Sequence, residues 1–341
     1  MMEYSYTEED LAGLDRIVVI AGPTGVGKTA LSLRLAERIN AEIVSVDSLQ
    51  VYRHLNIGTA KASRAERARV AHHLIDIVDP DASLNAADFR RLAGEAIADI
   101  KERGKVPLLV GGTGLYVRLL VHGVLDAPKP SQKLRRKYRR QAEQHGKDFL
   151  YRRLRQLDPE LAERVHPNDL VRVTRGLEIY DQTGRALSEL QREHRFSCPH
   201  YHALKIVLIR PREELYERIN HRVDAMMNAG LKAEYQEILE MGYERDLKPL
   251  MSLGYRQMGE HILDGRPRDE VVDEIKRETR HYAKKQISWF RGEPQTKWAM
   301  APVVRDDQVP PAVVDDIMGF LDSGGLPELE WAGVDPYNVK R

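Results

Sequence analysis

The stretch Arg16-Ile17-Val18-Val19-Ile20-Ala21-Gly22-Pro23-Thr24-Gly25-Val26-Gly27-Lys28-Thr29 decides the fold. A short β-branched run closed by glycine has the texture of a buried parallel strand. Gly22 to Thr29 fits the pattern G-x-x-x-x-G-K-T, and Leu31, Leu35 and Ile39 then recur at helical spacing. Strand, glycine loop and helix in that order make an anion cradle. The glycines let the backbone curl so that successive N–H groups of Gly22, Pro23, Thr24, Gly25, Val26 and Gly27 can converge, proline's missing donor excepted. The helix start adds partial positive charge and Lys28 a full one. Thr29 can place its hydroxyl on Mg²⁺. The motif points to a polyphosphate and leaves open whether that phosphate belongs to ATP.

Outward from the loop, strands and helices alternate. Glu42 to Val46 reads as a second strand closed by Asp47, a helix-like stretch runs from Asp88 to Arg103, and Lys105 to Val110 is a third strand closed by Gly111-Gly112-Thr113-Gly114. Tyr201 to Ile209 reads as a strand again, and the chain is then helical to about 291. Alternation of this kind predicts a parallel sheet with helices on both faces, and ligands in such sheets sit beyond the carboxyl ends of the strands. The expected fold class is therefore α/β: a P-loop NTPase-like parallel sheet flanked by helices, with an inserted all-helical domain. The expected boundaries are 14–127 plus 203–300 for the core, 128–202 for the insert and 301–341 for a C-terminal tail with one helical patch near Val313 to Leu321. Asp47, at the top of a strand beside the loop, can serve as metal ligand, general base or helix N-cap. The Gly-Gly-Thr-Gly turn permits close ligand approach and offers one hydroxyl.

Composition narrows the class. The 341 residues carry 53 Lys+Arg against 52 Asp+Glu, 42% hydrophobic and 6% aromatic residues, which is a globular profile and excludes a wholly disordered chain. The single cysteine, Cys198, excludes an internal disulfide framework and a cysteine-based zinc module. Apolar runs fall far short of the ~18 residues needed to span a bilayer. The acidic start, Met1 to Asp10, has no apolar signal region, so a cytoplasmic protein with no membrane partner is expected, acting as a monomer.

The balanced charge conceals two basic segments. Residues 129–155 hold 11 Lys/Arg and only Glu143 and Asp148 as acids, so the stretch carries 11 − 2 = +9. In 276–291, Lys276, Arg277, Arg280, Lys284 and Lys285 occupy one half of a helix, and Ile275, Thr279, Tyr282, Ala283, Trp289 and Phe290 the other, which is expected to pack. Two such segments around a phosphate-loop core favour a polyanionic partner. His72-His73 lacks metal-ligand neighbours and reads as structural or substrate-lining.

The order of motifs along the chain carries a resemblance. The phosphate loop is followed by Asp47-Ser48-Leu49-Gln50-Val51-Tyr52-Arg53, Ile57-Gly58-Thr59-Ala60-Lys61, His72-His73-Leu74-Ile75-Asp76 and Gly111-Gly112-Thr113-Gly114-Leu115-Tyr116. Arg212 to Ile219, Gly254-Tyr255-Arg256-Gln257 and Tyr282-Ala283-Lys284-Lys285-Gln286 come later. From about 15 to about 300 the chain resembles the bacterial-type tRNA dimethylallyltransferases, which are isopentenyltransferases acting on adenosine 37 of tRNA. The resemblance implies dimethylallyl diphosphate in the phosphate loop, the exocyclic N6 amine as acceptor, Mg²⁺ as cofactor and the tRNA anticodon stem-loop as partner. It implies that Asp47 is the base, that Thr113 lies near the adenine and that Arg222 is a second clamp on the diphosphate. Implied tRNA contacts are Asp47, Ser48, Leu49, Gln50 and Thr113, then Arg135, Val171, Arg172, Val173, Thr174 and Arg175 in the insert. Met251, Ser252, Leu253, Gly254, Tyr255 and Arg256 follow, and Lys276, Arg277, Arg280 and Lys284 join them. The chain departs from the family pattern at Val171, where glutamine is usual, and at His54 and Asn56, where glycine and aspartate are usual. The competing expectations are an adenylate isopentenyltransferase acting on free nucleotide, which needs no basic insert, and a small-molecule kinase, which the loop alone would favour.

Overall fold

A computed structural model describes residues 6–123, 125, 127–194, 199–301 and 309–328. Cys198, the first five residues and residues 302–308 and 329–341 lie outside that set. The described chain forms two compact units, one from residues 1–121 and 200–341 and one from 122–199.

The first unit is built on six parallel strands: β1 (Arg16–Ala21), β2 (Ala41–Val46), β3 (His72–His73), β4 (Val106–Gly111), β5 (His202–Ile209) and β6 (Thr296–Met300), in the order β3-β2-β4-β1-β5-β6. Ile17, Val18, Val19, Ile20 and Ala21 have no exposed surface, so β1 is covered on both faces. That is why its sequence is a continuous apolar run rather than an alternating one. Val18, Ile20, Leu108, Leu204 and Ile206 form one face. They pack under Leu31 and Leu35 of helix Lys28–Arg38, Leu215 and Ile219 of helix Arg212–Asn228, and Ala283 and Ile287 of helix Arg268–Arg291. Ile17, Val19, Val44, Leu109 and Val207 form the other, under Phe89, Ala93 and Ile97 of helix Ala86–Glu102 and Val117 and Leu120 of helix Gly114–His122.

The register of the strands places the chemistry. Ala21 pairs with Gly111 and Val46 pairs with the same Gly111, so β1, β2 and β4 end at one level. Gly22, Asp47 and Gly112 therefore begin three loops side by side at one edge of the sheet. A third cluster joins Val51, Tyr52 and Leu55 of the loop after β2 to Tyr235, Tyr255, Met258 and Val271. It anchors the turn Ser252–Gly254 within the same unit.

Two strands escape the sequence reading. β3 is a two-residue edge strand, and β6 follows a helix where no further strand was expected. Both are too short to show a period. The segment after 300 also needs correction as a tail: helix Pro311–Ser323 buries Val313, Ile317 and Phe320 in the core, and Arg16 donates to the carbonyls of Leu321 (2.7 Å) and Asp322 (2.6 Å).

The second unit is all-helical, with helices Gln132–His145, Lys147–Leu157, Pro159–Arg164, Leu170–Thr183 and Leu187–His194. Its core holds Tyr138, Leu150, Leu154, Leu161, Val173 and Leu177. Among the described residues, no helix is long and apolar enough to cross a membrane.

Candidate active site

The phosphate loop adopts the conformation its glycines allow. Gly22 and Gly27 have φ of +139° and +111°, and a Cβ at Gly22 would sit 2.6 Å from the Leu208 carbonyl oxygen. The backbone there needs glycine both for its dihedrals and for its approach to β5. The outward-turned carbonyls are tied down. Lys28 Nζ donates to Gly22 O (2.8 Å) and Pro23 O (2.9 Å), Arg218 Nε to Gly25 O (2.9 Å), and Arg210 Nε to Val26 O (2.8 Å). Helix Lys28–Arg38 starts at Lys28, and first-turn N–H groups have no acceptor within their own helix. The amides of Lys28 and Thr29 are thus placed to receive an anion.

A cavity of about 1000 Å³ opens on this loop. Thr24, Gly25, Gly27, Lys28 and Thr29 line it, together with Asp47, Ser48, Leu49, Gln50, Gly111, Gly112, Arg222, Ser252, Leu253 and Gly254. Residues far apart in the chain therefore share one wall. Asp47 Oδ1 accepts from the amides of Leu49 (2.8 Å) and Gln50 (3.2 Å), while no described residue donates to Oδ2. No helix starts at Asp47, so the N-cap expectation is replaced by a side-chain-to-backbone turn: one oxygen fixes the carboxylate, which lines the cavity. Gln50 is held in turn by Ser45 Oγ, which donates to its Oε1 (3.0 Å).

The electrostatics follow from crowding cations in a shielded site. Burial and the neighbouring Arg222 push the Lys28 ammonium down to about 7, with Asp47 opposing. Burial likewise lowers Arg222, again against Asp47, while nearby Arg218 adds to the lowering. Burial pushes Tyr116 up to about 12, and the Asp47 charge contributes. The carboxylate is thus the local counter-charge that allows two cations beside the anion cradle.

Gln286 was not singled out from the sequence, yet it joins the two halves of the site. Its Oε1 accepts from Thr24 N (2.9 Å) and its Nε2 donates to Gly112 O (3.0 Å). A Cβ at Gly112 would lie 2.2 Å from that Nε2, so glycine is required for the bond. Arg210 and Arg218 were also missed. Arg210 follows the last residue of β5, and a charge just beyond a parallel strand's carboxyl end is the available signal.

The other candidate residues differ in burial and in the partners they hold. Thr113 is not among the cavity-lining residues; its amide donates to Val46 O (3.3 Å) and its carbonyl accepts from Tyr116 N (2.9 Å), so it starts helix Gly114–His122. Tyr255 is wholly buried, with its hydroxyl donating to Glu234 Oε1 (2.6 Å), and Arg256 is held by Glu260 and Glu274. Met251 is exposed. On helix Arg268–Arg291, Lys276 pairs with Asp224 (2.6 Å) and Arg280 donates to Asn220 Oδ1 (2.7 Å), whereas Arg277 and Lys284 are exposed. Tyr282, expected to pack, is 43% exposed and lines the cavity. His72 lines the cavity as well, and His73 Nε2 meets Glu42 Oε2 (2.6 Å).

In the helical unit, Arg135 is exposed and 3.5 Å from Glu178, Val171 is 80% exposed, and Arg172 lies 3.3 Å from Asp169. Val173 is fully buried, which removes its side chain from the surface, while the part-exposed Thr174 donates Oγ1 to Leu170 O. Arg175 is engaged with Glu178 (3.1 Å) and the Pro128 carbonyl (2.8 Å). Among the described residues, no group of three or more His, Cys, Asp or Glu could hold a metal ion.

The parallel sheet, the glycine loop and the carboxylate beyond one strand end define a phosphate-loop α/β protein. Residues 50–293 match the family model described as IPP transferase, and the chain belongs to that family. It is 50% identical over 282 residues, 83% of this chain and 82% of the relative, to the tRNA dimethylallyltransferase of Syntrophobacter fumaroxidans. It is 47% identical over 305 residues to that of Geobacter metallireducens, covering 89% and 97% of the two chains. Among solved structures, it resembles the tRNA isopentenylpyrophosphate transferase of Bacillus halodurans at 38% identity and a TM-score of 0.66, over 90% of this chain and 97% of that one. A eukaryotic dimethylallyltransferase acting on tRNA gives a TM-score of 0.78 at 29% identity, over 94% and 82%.

Proposed function

We propose that this protein is a tRNA dimethylallyltransferase that moves a dimethylallyl group from dimethylallyl diphosphate to N6 of adenosine 37. The observation that carries the reading is that Lys28, Thr29 and Asp47 line one cavity in a chain whose close relatives bear that name. The N6 lone pair of adenine is delocalised into the ring, so the amine needs a base as its bond to carbon forms. In this scheme the N6–C1 bond forms, the C1–O bond to diphosphate breaks, and the N6 proton passes to Asp47 Oδ2. Negative charge grows on the departing diphosphate, where Lys28, Arg222 and the amides of the helix start stand ready to stabilise it. The target base has to leave its stack to enter a cavity of this kind.

Mg²⁺ fits the donor set, because Thr29 hydroxyl and Asp47 carboxylate are hard oxygen donors lining the same space. With no preformed ligand cluster among the described residues, the ion would be held by Thr29 and the diphosphate together, and would neutralise leaving-group charge. The site also takes its acceptor from tRNA rather than from free nucleotide in this reading, in keeping with the basic helical unit.

The test is nucleoside mass spectrometry of tRNA incubated with the protein, Mg²⁺ and dimethylallyl diphosphate. A five-carbon addition to adenosine is expected with wild type. Asp47→Asn keeps the size and the amide contacts but cannot take the proton, and a rate loss of ~10²–10⁴ is expected with both substrates still bound. Wild-type turnover in that variant removes Asp47 as the base.

A further inference from the structure

A second cavity, of about 760 Å³, adjoins the first within the same unit through Arg222, Ala60, Ala62 and Met226, which line both, and is otherwise lined by residues outside the site described above. Its charge is lopsided. Arg53, Lys61, Arg64, Arg67 and Arg222 line it against a single lining acid, Asp76, and of these Arg53 is paired outside the cavity with Asp79 (2.9 Å), in a chain whose totals are 53 bases and 52 acids. The one acid is already saturated: Lys61 Nζ donates to its Oδ1 (2.6 Å) and Arg67 Nη1 to its Oδ2 (2.7 Å). Lys61 spends its remaining donors on Tyr52 O and Asn56 Oδ1. Arg64, the first residue of helix Arg64–Arg69, is exposed and makes no ion pair with a described residue.

The backbone of the walls is an independent observation. Among the described residues, six non-glycine positions have positive φ, and three of them, His54 (69°), Ala60 (46°) and Asp76 (57°), line this cavity. Left-handed backbone at a non-glycine residue is uncommon, and an alanine has no side-chain hydrogen bond to offset its cost. Such positions persist where surrounding contacts hold them, and they concentrate at functional sites.

We propose that this cationic cavity is a phosphodiester site that holds the RNA strand next to the target nucleotide, with Arg64 and Arg67 as its phosphate contacts. The assignment rests on the tRNA reading above. An RNA strand explains what a free anion does not: the cavity shares a wall with the reaction cavity, so a base in one brings its own backbone phosphates to the other. It also lacks the glycine cradle that grips a small polyphosphate on the other side of Arg222. Shape and charge here serve position rather than base identity, as phosphate contacts do.

The experiment compares wild type, Arg64→Glu and Arg67→Gln for binding of an anticodon stem-loop RNA across a salt series, for binding of inorganic diphosphate alone, and for prenyl transfer. An acid at the first helical position is favourable for the helix, so Arg64→Glu is expected to fold. Arg67→Gln leaves the Lys61–Asp76 pair in place and gives a second reading. RNA affinity should fall about tenfold or more in each variant, and the log affinity–log salt slope should flatten by ~0.7 for each phosphate the variant no longer neutralises. Diphosphate binding should stay within about twofold. Unchanged RNA affinity and slope in both variants, with wild type active, would make this a solvated face and overturn the proposal. Loss of diphosphate binding with RNA binding intact would make it a free-anion site and overturn it equally. Absence of RNA modification by wild type would instead sink the tRNA reading, and this assignment with it.

Discussion

Lys28 serves its own loop in the free protein. Its ammonium bridges the carbonyls of Gly22 and Pro23, and burial beside Arg222 holds it near neutrality, at about 7. A bound diphosphate favours the charged lysine, so binding raises that value and takes up a proton above pH 7. The sign follows. Below about 7 the lysine is already charged and donor affinity is flat. Above it, affinity should fall by up to ~tenfold per pH unit until the raised value of the complex is reached. Calorimetry in buffers of different ionisation enthalpy should register the proton uptake, and a pH-independent diphosphate affinity between about 7 and 9 would show that the lysine stays charged throughout. The place of Lys28 at the end of the loop was legible from the motif. Its proton equilibrium was not, because that depends on Arg222 and Asp47, which only folding brings near.

At the scale of an element, helix Arg268–Arg291 acts as a strap across the sheet edge. Gln286 spans the phosphate loop and the Gly112 turn, Trp289 lies against Gly114, and Arg118 stacks over the Trp289 ring at 4.4 Å while donating to Glu293 (2.6 Å). Gln286→Met keeps the volume but leaves a buried N–H and a buried C=O unpaired, a cost of ~1–3 kcal/mol each. The melting temperature should fall by several degrees. kcat should fall tenfold or more with the KM for stem-loop RNA little changed, because the donor loop and acceptor turn no longer share a tether. Gln286→Glu keeps the bond from Thr24 N and should lie between the two. Equal kcat in all three proteins would leave the strap a purely structural feature. Helical spacing placed Ile275 and Ala283 on the buried side correctly. It misplaced Tyr282, which faces the cavity, and gave no reason to bury a glutamine. Hydropathy cannot register a polar side chain whose burial is offset by two hydrogen bonds.

For the molecule as a whole, the basic charge of 129–155 resides in a unit with its own core. Tyr138 is fully buried there, while Arg136, Arg139 and Arg140 on the same helix are exposed. Replacing those three by glutamine should leave the α/β unit folded and the donor KM nearly fixed. The KM for tRNA should rise, and the salt slope should flatten by roughly 0.7–0.9 for each phosphate that these arginines neutralise. Steady-state kinetics across a salt series checks this, and an unchanged slope would remove these arginines from the RNA interface. Arg135 is kept out of the substitution because Glu178 lies 3.5 Å away.

The sequence by itself determined the phosphate loop, the strands that carry Asp47 and the Gly112 turn, the break in the α/β pattern and the family resemblance. Each is a local pattern: an apolar run, a glycine spacing, a change of period or a string in fixed order. The tertiary structure alone decided what those patterns share. It added the short strands His72–His73 and Thr296–Met300, whose pairing comes from neighbours already in the sheet. It turned the helix Pro311–Ser323 from a tail into core, because burial of Phe320 depends on the sheet face beneath it. It assigned Gln286, Arg210 and Arg218 to the loop, and it joined Arg222 to two cavities. A hydrogen bond across 262 positions or a cavity wall has no local period, so only the folded chain could specify it.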